Sequence, residues 1–139
     1  MQSKLRFEEI TEKMTLPDFQ IKTDSKLSAM WAAASGDFDP IHYDHDYAKE
    51  HKLPNIIVNG RLKIALLANW LNSLIGPDGR LKRLSVRHQG MDIVGNDVTI
   101  KGVIVSKSND PVDKSVECEI WMEDHKGNKT ATGSATLSL

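Results

Sequence analysis

One long apolar segment occupies residues 61–75 and reads RLKIALLANWLNSLI. Its apolar residues cover most of the circumference of an α-helix, and a helix that is apolar nearly all round is a buried one. The segment is too short, and polar residues interrupt it too often, for it to span a lipid bilayer. The next residues, GPDG at 76–79, have turn chemistry and end the helix. We therefore predict a long central helix against which the rest of the chain packs.

The chain after this helix has the alternation of apolar and polar residues that is typical of β-strands. The predicted strands are those at residues 81–94, 97–107, 115–124 and 130–139. The first is interrupted at Gly90, which indicates a bulge or a close approach of two backbones. Because the turns between the later strands are short, these strands are expected to be antiparallel neighbours. The predicted fold class is α+β, with an antiparallel sheet that wraps around the long helix and has a polar outer face.

The chain before the central helix is less regular. Residues 5–23 mix apolar and polar side chains and predict one strand or a broken pair of strands. Residues 24–34 begin with a capping sequence and have helical apolar spacing, so they predict a short helix that ends before Gly36. Met30 and Trp31 lie on the apolar stripe of this helix. They are interpreted as core residues, with part of a ligand pocket as the alternative.

The composition predicts one soluble domain over residues 1–139, because 40% of the residues are apolar and 27% are charged. A net charge of −1 argues against a nucleic-acid partner. Cys118 is the only cysteine, which excludes an internal disulfide and suits a reducing compartment. The N-terminal residues lack the apolar core of a signal peptide, and no window approaches a membrane span. We expect a cytoplasmic protein that has no membrane partner.

The presence of residues 35–44, SGDFDPIHYD, is not explained by a role in the hydrophobic core. They place a carboxylate, Asp37, and an imidazole, His42, five residues apart. Pro40 fixes its own φ and disfavours a helical conformation at Asp39, so we expect both groups on a stiff extended loop. Such a loop suits catalytic groups, but acids and bases also cluster in structural networks. The spacing alone leaves both interpretations open.

The acidic residues of this loop have two alternative roles. Asp44 is expected to cap a short helix at residues 46–51, because an aspartate at a helix start accepts bonds from free N–H groups. The carboxylates and imidazoles of residues 37–46 are numerous enough to bind a metal. A calcium loop of the EF-hand type would need Gly where His42 stands and Glu where Ala48 stands. We therefore predict no metal site.

Three motifs of this sequence occur in an order that resembles the order in a known family. The motifs are GDFDPIH at residues 36–42, IVNG at residues 57–60 and VGNDV at residues 94–98, with the apolar helix between the second and third. This arrangement resembles the MaoC-like (R)-specific enoyl-CoA hydratase and 3-hydroxyacyl dehydratase family, whose members have the hot-dog fold. The resemblance covers residues 27–139 and favours the catalytic interpretation of the acidic loop.

The resemblance implies reversible syn addition of water to a trans-2-enoyl thioester, with no cofactor. Asp37 would activate the water, and His42 would hold it and transfer the α-proton. The free N–H of Gly60, at the start of the central helix, would bind the thioester oxygen as its negative charge grows. Asp39 and Asn59 would complete the substrate-binding residues. An ordinary cap glycine is compatible with this role of Gly60.

Three positions depart from the family pattern. Many relatives have Asn at the position of Asp39 and His at the position of Asn59. The second carboxylate of Asp39 is expected to raise the pKa of Asp37 or its own pKa. The Pro-Val pair that is frequent in the long strand is replaced by Asp92-Ile93, and we expect substrate choice to differ there.

The expected partner is an acyl-CoA thioester, with an acyl-carrier protein as the alternative. The acyl tunnel is expected to run along Leu66, Trp70 and Leu74. A basic group could contact phosphates or an acidic carrier, and it consists of Arg80, Lys82, Arg83 and Arg87. Unpaired edge strands are a liability, so we also expect a homodimer or a dimer of dimers joined through a sheet edge.

Two other functions share features of this sequence. A hot-dog thioesterase would use the same fold and the same substrate class, but it would not need the Asp37 and His42 loop. A non-catalytic subunit of a heteromeric dehydratase would normally lack one member of the pair, and both are present here.

Overall fold

The computed structural model describes residues 3–139. The described helices are α1 (Ser25–Ser35), α2 (His45–Glu50) and α3 (Gly60–Leu74), with single 3-10 turns at Phe7–Glu9 and Pro40–His42. The described strands are β1 (Phe19–Ile21), β2 (Arg80–His88), β3 (Val98–Lys107), β4 (Ser115–Glu123) and β5 (Lys129–Ser138).

All strand pairs are antiparallel, and the five strands form one sheet in the order β1-β3-β4-β5-β2. The main core forms where α3 packs against the inner face of this sheet, and its α3 members are Leu67, Trp70, Leu71 and Leu74. Alternate residues of β3 and β4 are buried, as their sequence period predicts. Cys118 points into this core. The predicted architecture, an antiparallel sheet around a long central helix, is confirmed.

The central helix α3 differs from the prediction at two side chains. Ile64 was predicted to be buried with the other apolar residues, but it is 37% exposed. Lys63 was counted among the polar interruptions, but it is buried and only 2% exposed. The apolar periodicity of the sequence could not predict these two positions. Periodicity identifies the buried side of a helix only when the opposite side is polar.

A buried ion pair explains the position of Lys63. Its ammonium nitrogen lies 2.6 Å from Oδ2 of Asp92, and it donates hydrogen bonds of 3.1 Å to the carbonyl oxygens of Gly90 and Thr130. The hydroxyl of Thr130 donates to the same oxygen of Asp92 at 2.8 Å. A buried charge is tolerated when such partners replace water. The pair therefore ties α3 to the segment after β2 and to the start of β5.

The strand predicted at residues 81–94 ends earlier, at His88. The N–H groups of Gln89 and Gly90 both donate to the carbonyl oxygen of Thr130, at 2.9 and 3.1 Å. Gly90 therefore marks a close approach of two backbones, which was one of the two predicted alternatives. The register shift within this strand lies elsewhere, between Leu81 and Arg83.

The N-terminal segment forms the broken strand pair that was one of its predicted forms. Thr15 makes an isolated bridge to Val103, and β1 then pairs with the same neighbouring strand, β3. Of the two residues interpreted as core on α1, Trp31 packs against a second apolar cluster, whereas Met30 is 60% exposed. The buried members of this cluster are Ala48, Ile56, Val58, Leu62 and Val94. The core interpretation was therefore wrong for Met30.

The predicted ends of α1 are confirmed. The Asp24 side chain caps the helix by accepting a 2.8 Å bond from the N–H of Leu27, and Gly36 ends it with a φ of 72°. A positive φ of this size favours glycine. No helix within residues 3–139 is both long enough and apolar enough to cross a membrane.

The ion pair generates a stability prediction. Lys63→Met removes the cation and leaves the Asp92 carboxylate buried without its partner, which should lower the free energy of unfolding by about 3–5 kcal/mol. The double variant Lys63→Met/Asp92→Leu should recover most of this loss, because neither charge then remains in the interior. Denaturant unfolding at one fixed protein concentration measures both variants. A loss below about 1 kcal/mol for the single variant would contradict the buried-pair interpretation.

Candidate active site

The acidic loop is extended at Asp39 and then turns. Asp39 has φ −62° and ψ 119°, and its carboxylate accepts a 3.2 Å bond from the N–H of Ile41. Pro40–His42 form one turn of 3-10 helix. The prediction that His42 lies on an extended loop was therefore wrong. Proline disfavours helix at the residue before it, but its own φ suits the first position of a helical turn.

The Asp37 carboxylate is held by two donors. Its Oδ2 accepts a 2.9 Å bond from the side-chain amide of Asn59, and its Oδ1 accepts a 3.3 Å bond from the N–H of Asp39. The bond from Asn59, followed by that from Asp39, holds the pKa of Asp37 below its ordinary value, and the charges of His42 and Arg61 act in the same direction. The expected rise of the pKa of Asp37 beside a second carboxylate was wrong, since Asp39 contributes a backbone donor. Asp37 is ionised at neutral pH.

The imidazole of His42 is oriented by the backbone. Its Nδ1 lies 2.9 Å from the carbonyl oxygen of Ile57, and the N–H of Ile57 donates to the carbonyl oxygen of Ile41 at 3.1 Å. A carbonyl oxygen only accepts, so Nδ1 must carry the hydrogen of this bond. In the neutral ring, Nε2 then has a lone pair that can accept a proton. This bond defines which nitrogen of His42 can act as a base, and the ring is near enough for its charge to act on the Asp37 carboxylate.

Asn59 connects the acidic loop to the central helix. Its side-chain oxygen accepts bonds of 2.8 and 3.3 Å from the N–H groups of Arg61 and Leu62, which caps α3. Its side-chain nitrogen donates to Asp37. Since Asn59 is buried, these three bonds replace water. The predicted contribution of Asn59 to the site is therefore indirect: it positions the Asp37 carboxylate relative to the helix start.

Gly60 is the first residue of α3. Within residues 3–139, no acceptor bonds its backbone N–H. The N-terminus of a helix carries partial positive charge, so this N–H is suited to a developing negative charge on a ligand oxygen. A Cβ at Gly60 would lie 3.1 Å from Nε2 of His88, so a larger residue would crowd that ring.

The expected acyl tunnel does not run along all three predicted residues. Trp70 and Leu74 are fully enclosed in the main core, and the indole N–H of Trp70 donates to the carbonyl oxygen of Pro17 at 3.1 Å. Leu66 is half-buried and contacts both apolar clusters. Only Leu66 of the three remains available to line a channel within this chain.

Asp44 has a local structural role. The Asp44 carboxylate accepts two bonds of 3.0 Å, from the N–H groups of Asp46 and Tyr47, and so caps α2 as predicted. Among the residues that the structure describes, no three His, Cys, Asp or Glu side chains are grouped so that they could hold a metal ion.

Sequence analysis missed the group beside Gly60. The alternating pattern of residues 81–94 assigned no role to His88 beyond that of a strand residue, and Lys63 is one of the polar residues that interrupt the apolar helix. The pKa of His88 is lowered, first by burial and then by the positive charge of Lys63. The one signal in the sequence was Asp92, which replaces the apolar residue of the family pattern and becomes the partner of Lys63.

Comparisons with known proteins found one family model and several solved structures that resemble this chain. A family model described as MaoC like domain matches residues 6–128. The (R)-hydratase from A. caviae involved in PHA biosynthesis superposes with a TM-score of 0.86 at 22% identity, over 95% of this chain and 98% of that chain. R-hydratase PhaJ1 from Pseudomonas aeruginosa superposes with a TM-score of 0.87 at 20% identity, over 95% and 83%. These likenesses confirm the hot-dog fold.

A third similar structure is a complex. The ChsH1-ChsH2 complex from Mycobacterium tuberculosis contains a chain that superposes with a TM-score of 0.81 at 22% identity, over 93% of this chain and 98% of that chain. Among curated proteins, no sequence matches the chain significantly.

The bond between Asn59 and Asp37 generates a prediction about ionisation. Asn59→Ser keeps a helix-capping oxygen but removes the amide donor, so the pKa of Asp37 should rise toward its ordinary value. Carbon-13 NMR titration of the Asp37 carboxyl measures this shift. Asn72→Ser, on an exposed position of α3, is the matched control and should leave the titration unchanged. An Asp37 pKa that stays the same in Asn59→Ser would show that this bond does not stabilise the carboxylate.

Proposed function

Since the chain belongs to the family of MaoC-like dehydratase domains, we propose that it is an (R)-specific hydratase or dehydratase. The proposed reaction interconverts trans-2-enoyl thioesters and (R)-3-hydroxyacyl thioesters by syn addition or removal of water. One observation carries the proposal. The ionised Asp37 carboxylate, the backbone-oriented imidazole of His42 and the free N–H of Gly60 occur together around Asn59.

The two side chains form an acid and base pair for the proton transfers. In hydration, the Asp37 carboxylate takes a proton from water as the oxygen bonds to the β-carbon, and the His42 imidazolium gives its Nε2 proton to the α-carbon. One proton then passes from Asp37 to His42, which restores the starting state. Dehydration uses the same steps in reverse. The proposed syn addition requires both groups to act on the same side of the bound double bond.

The thioester oxygen needs its own donor, because the transition state resembles an enolate. The Gly60 N–H is oriented along α3, and its charge-stabilising effect is available without rearrangement of the protein. Gly60 is half-buried and has no side chain of its own to cover this N–H.

The basic group on β2 supports a phosphate-bearing carrier, and we propose CoA rather than an acyl-carrier protein. Lys82 and Arg83 already pair with Asp113 at 3.6 Å and Glu117 at 3.1 Å. Arg80 and Arg87 are exposed, and neither has an ion-pair partner in the part of the chain that the structure describes. These two residues are the candidates for contacts with the nucleotide phosphates.

The catalytic assignment is tested with Asp37→Asn and His42→Ala. Each variant should remain folded and lose about a hundred- to ten-thousand-fold in activity, because a positioned proton-transfer group is removed. The assay follows the loss of conjugated thioester absorbance from crotonyl-CoA and longer enoyl-CoAs, together with the chirality of the product. Asp46→Asn and His125→Ala change exposed residues of the same types and should retain full activity. Near-native rates in either Asp37→Asn or His42→Ala would refute the assignment, and release of free thiol would indicate a thioesterase.

We also propose that the active unit is a homodimer or a dimer of dimers. The two edge strands of the sheet are β1, with three residues, and β2, with nine. The longer edge, β2, offers unpaired N–H and C=O groups that a second copy could pair across a two-fold axis.

Sedimentation at micromolar concentration tests the assembly. We expect a mass of two or four chains, because pairing of the β2 edges would join two sheets and cover their free backbone groups. A stable and active species with the mass of one chain would contradict the proposal.

A further inference from the structure

His88 lies where the helix start and the sheet meet. It is the last residue of β2. Its ring approaches the start of α3, and Nε2 is the ring atom nearest to Gly60. The position of a Cβ on Gly60 would be 3.1 Å from Nε2 and 3.5 Å from each neighbouring ring carbon. Within residues 3–139, neither ring nitrogen of His88 has a hydrogen-bond partner. The imidazole of His88 therefore has a hydrogen-bond donor and an acceptor without protein partners, and it lies beside Gly60.

The Lys63 ion pair holds this part of the chain in place. Lys63 follows Gly60 by three residues, so both lie on the same side of α3. Its ammonium group bonds the carbonyl oxygen of Gly90 and the Asp92 carboxylate, both within four residues of His88. The backbone at the end of β2 is thus held close to the first turn of the helix.

The environment of His88 favours a neutral ring. The His88 side chain is exposed overall, but partial burial of its ring lowers its pKa, and the positive charge of Lys63 lowers the pKa further, whereas the Asp92 carboxylate opposes this effect. A neutral imidazole has a hydrogen on one ring nitrogen and can donate it without bringing a second positive charge close to Lys63. Its donor strength suits an oxygen that is a carbonyl in the ground state and becomes negative in the transition state.

We propose that His88 is a second hydrogen-bond donor, beside the Gly60 N–H, to the thioester oxygen of the substrate. This inference rests on the proposed hydratase function. Two donors on one oxygen stabilise a developing enolate more than one, and the second is expected to act mainly in the transition state. His88 is then a catalytic residue supplied by the sheet, whereas Asp37, His42 and Gly60 come from the acidic loop and the helix.

Two variants of His88 separate hydrogen bonding from packing. His88→Phe keeps a flat ring against Gly60 but has no donor. His88→Gln keeps an amide N–H at a similar distance from the backbone. We expect His88→Phe to lower kcat by about a hundred- to a thousand-fold with a small change in KM, as for loss of one oxyanion donor. His88→Gln should retain at least a tenth of the native kcat, and His125→Phe, in the turn between β4 and β5, should retain all of it.

A spectroscopic measurement tests the contact without turnover. Asp37→Asn should bind 2,4-hexadienoyl-CoA without hydrating it, and donors to its carbonyl oxygen should shift the absorbance of the bound chromophore to longer wavelength. The double variant Asp37→Asn/His88→Phe should bind the same ligand with a smaller shift. The shift is measured at saturation, so a change in affinity does not affect it.

The outcomes distinguish this inference from the proposed function. If the native protein hydrates enoyl-CoAs and His88→Phe stays within threefold of its kcat, His88 is not a donor. Equal losses in the Phe and Gln variants, with an unchanged absorbance shift, would assign the ring to packing and also overturn the inference. If the native protein hydrates no enoyl-CoA, the proposed function fails first, and the role of His88 fails with it.

Discussion

The hydrogen bonds of the Asn59 side chain join the architecture of this protein to its candidate chemistry. The oxygen of this amide caps α3 by accepting from two backbone N–H groups, and the nitrogen donates to the Asp37 carboxylate. A helix start has free donors that must be satisfied, and a catalytic carboxylate must be held in its charged form. One buried amide meets both requirements. The candidate base is therefore aligned with the same helix terminus whose next residue, Gly60, presents a free N–H.

The Lys63 and Asp92 pair is a second point at which stability and function are connected. A buried ion pair contributes little net stability to a fold, because the cost of desolvation offsets most of the attraction between the charges. Its position gives it a further effect: it secures the backbone that follows His88 to the first turn of α3. A hydrophobic pair could fill the same volume, but it would not provide bonds to the carbonyl oxygens of Gly90 and Thr130. The pair thus defines the distance between the end of β2 and the helix start.

Much of the fold could be predicted because its signals are local. The period of two in β3, β4 and β5, the cap of α1 at Asp24 and the cap of α2 at Asp44 each depend on residues close in sequence. The acidic loop was located for the same reason, since Asp37, Pro40 and His42 lie within one short segment. Local rules were less successful where two constraints compete at one residue. Pro40 disfavours helix before itself and permits it afterwards, so His42 lies on a 3-10 turn and not on an extended loop.

The amino-acid sequence by itself determined the central helix, the antiparallel strands, the family and the pair of residues proposed for proton transfer. Tertiary structure alone decided which polar residues lie inside, which nitrogen of His42 carries its hydrogen, and which side chain lies against Gly60. Lys63 reads as a polar interruption until Asp92 and Thr130, distant in sequence, supply its partners. His88 reads as a strand residue until the sheet closes on the helix. The physical reason is that hydrophobic periodicity depends on neighbours along the chain, whereas hydrogen bonds and ion pairs of buried groups depend on contacts that exist only after folding.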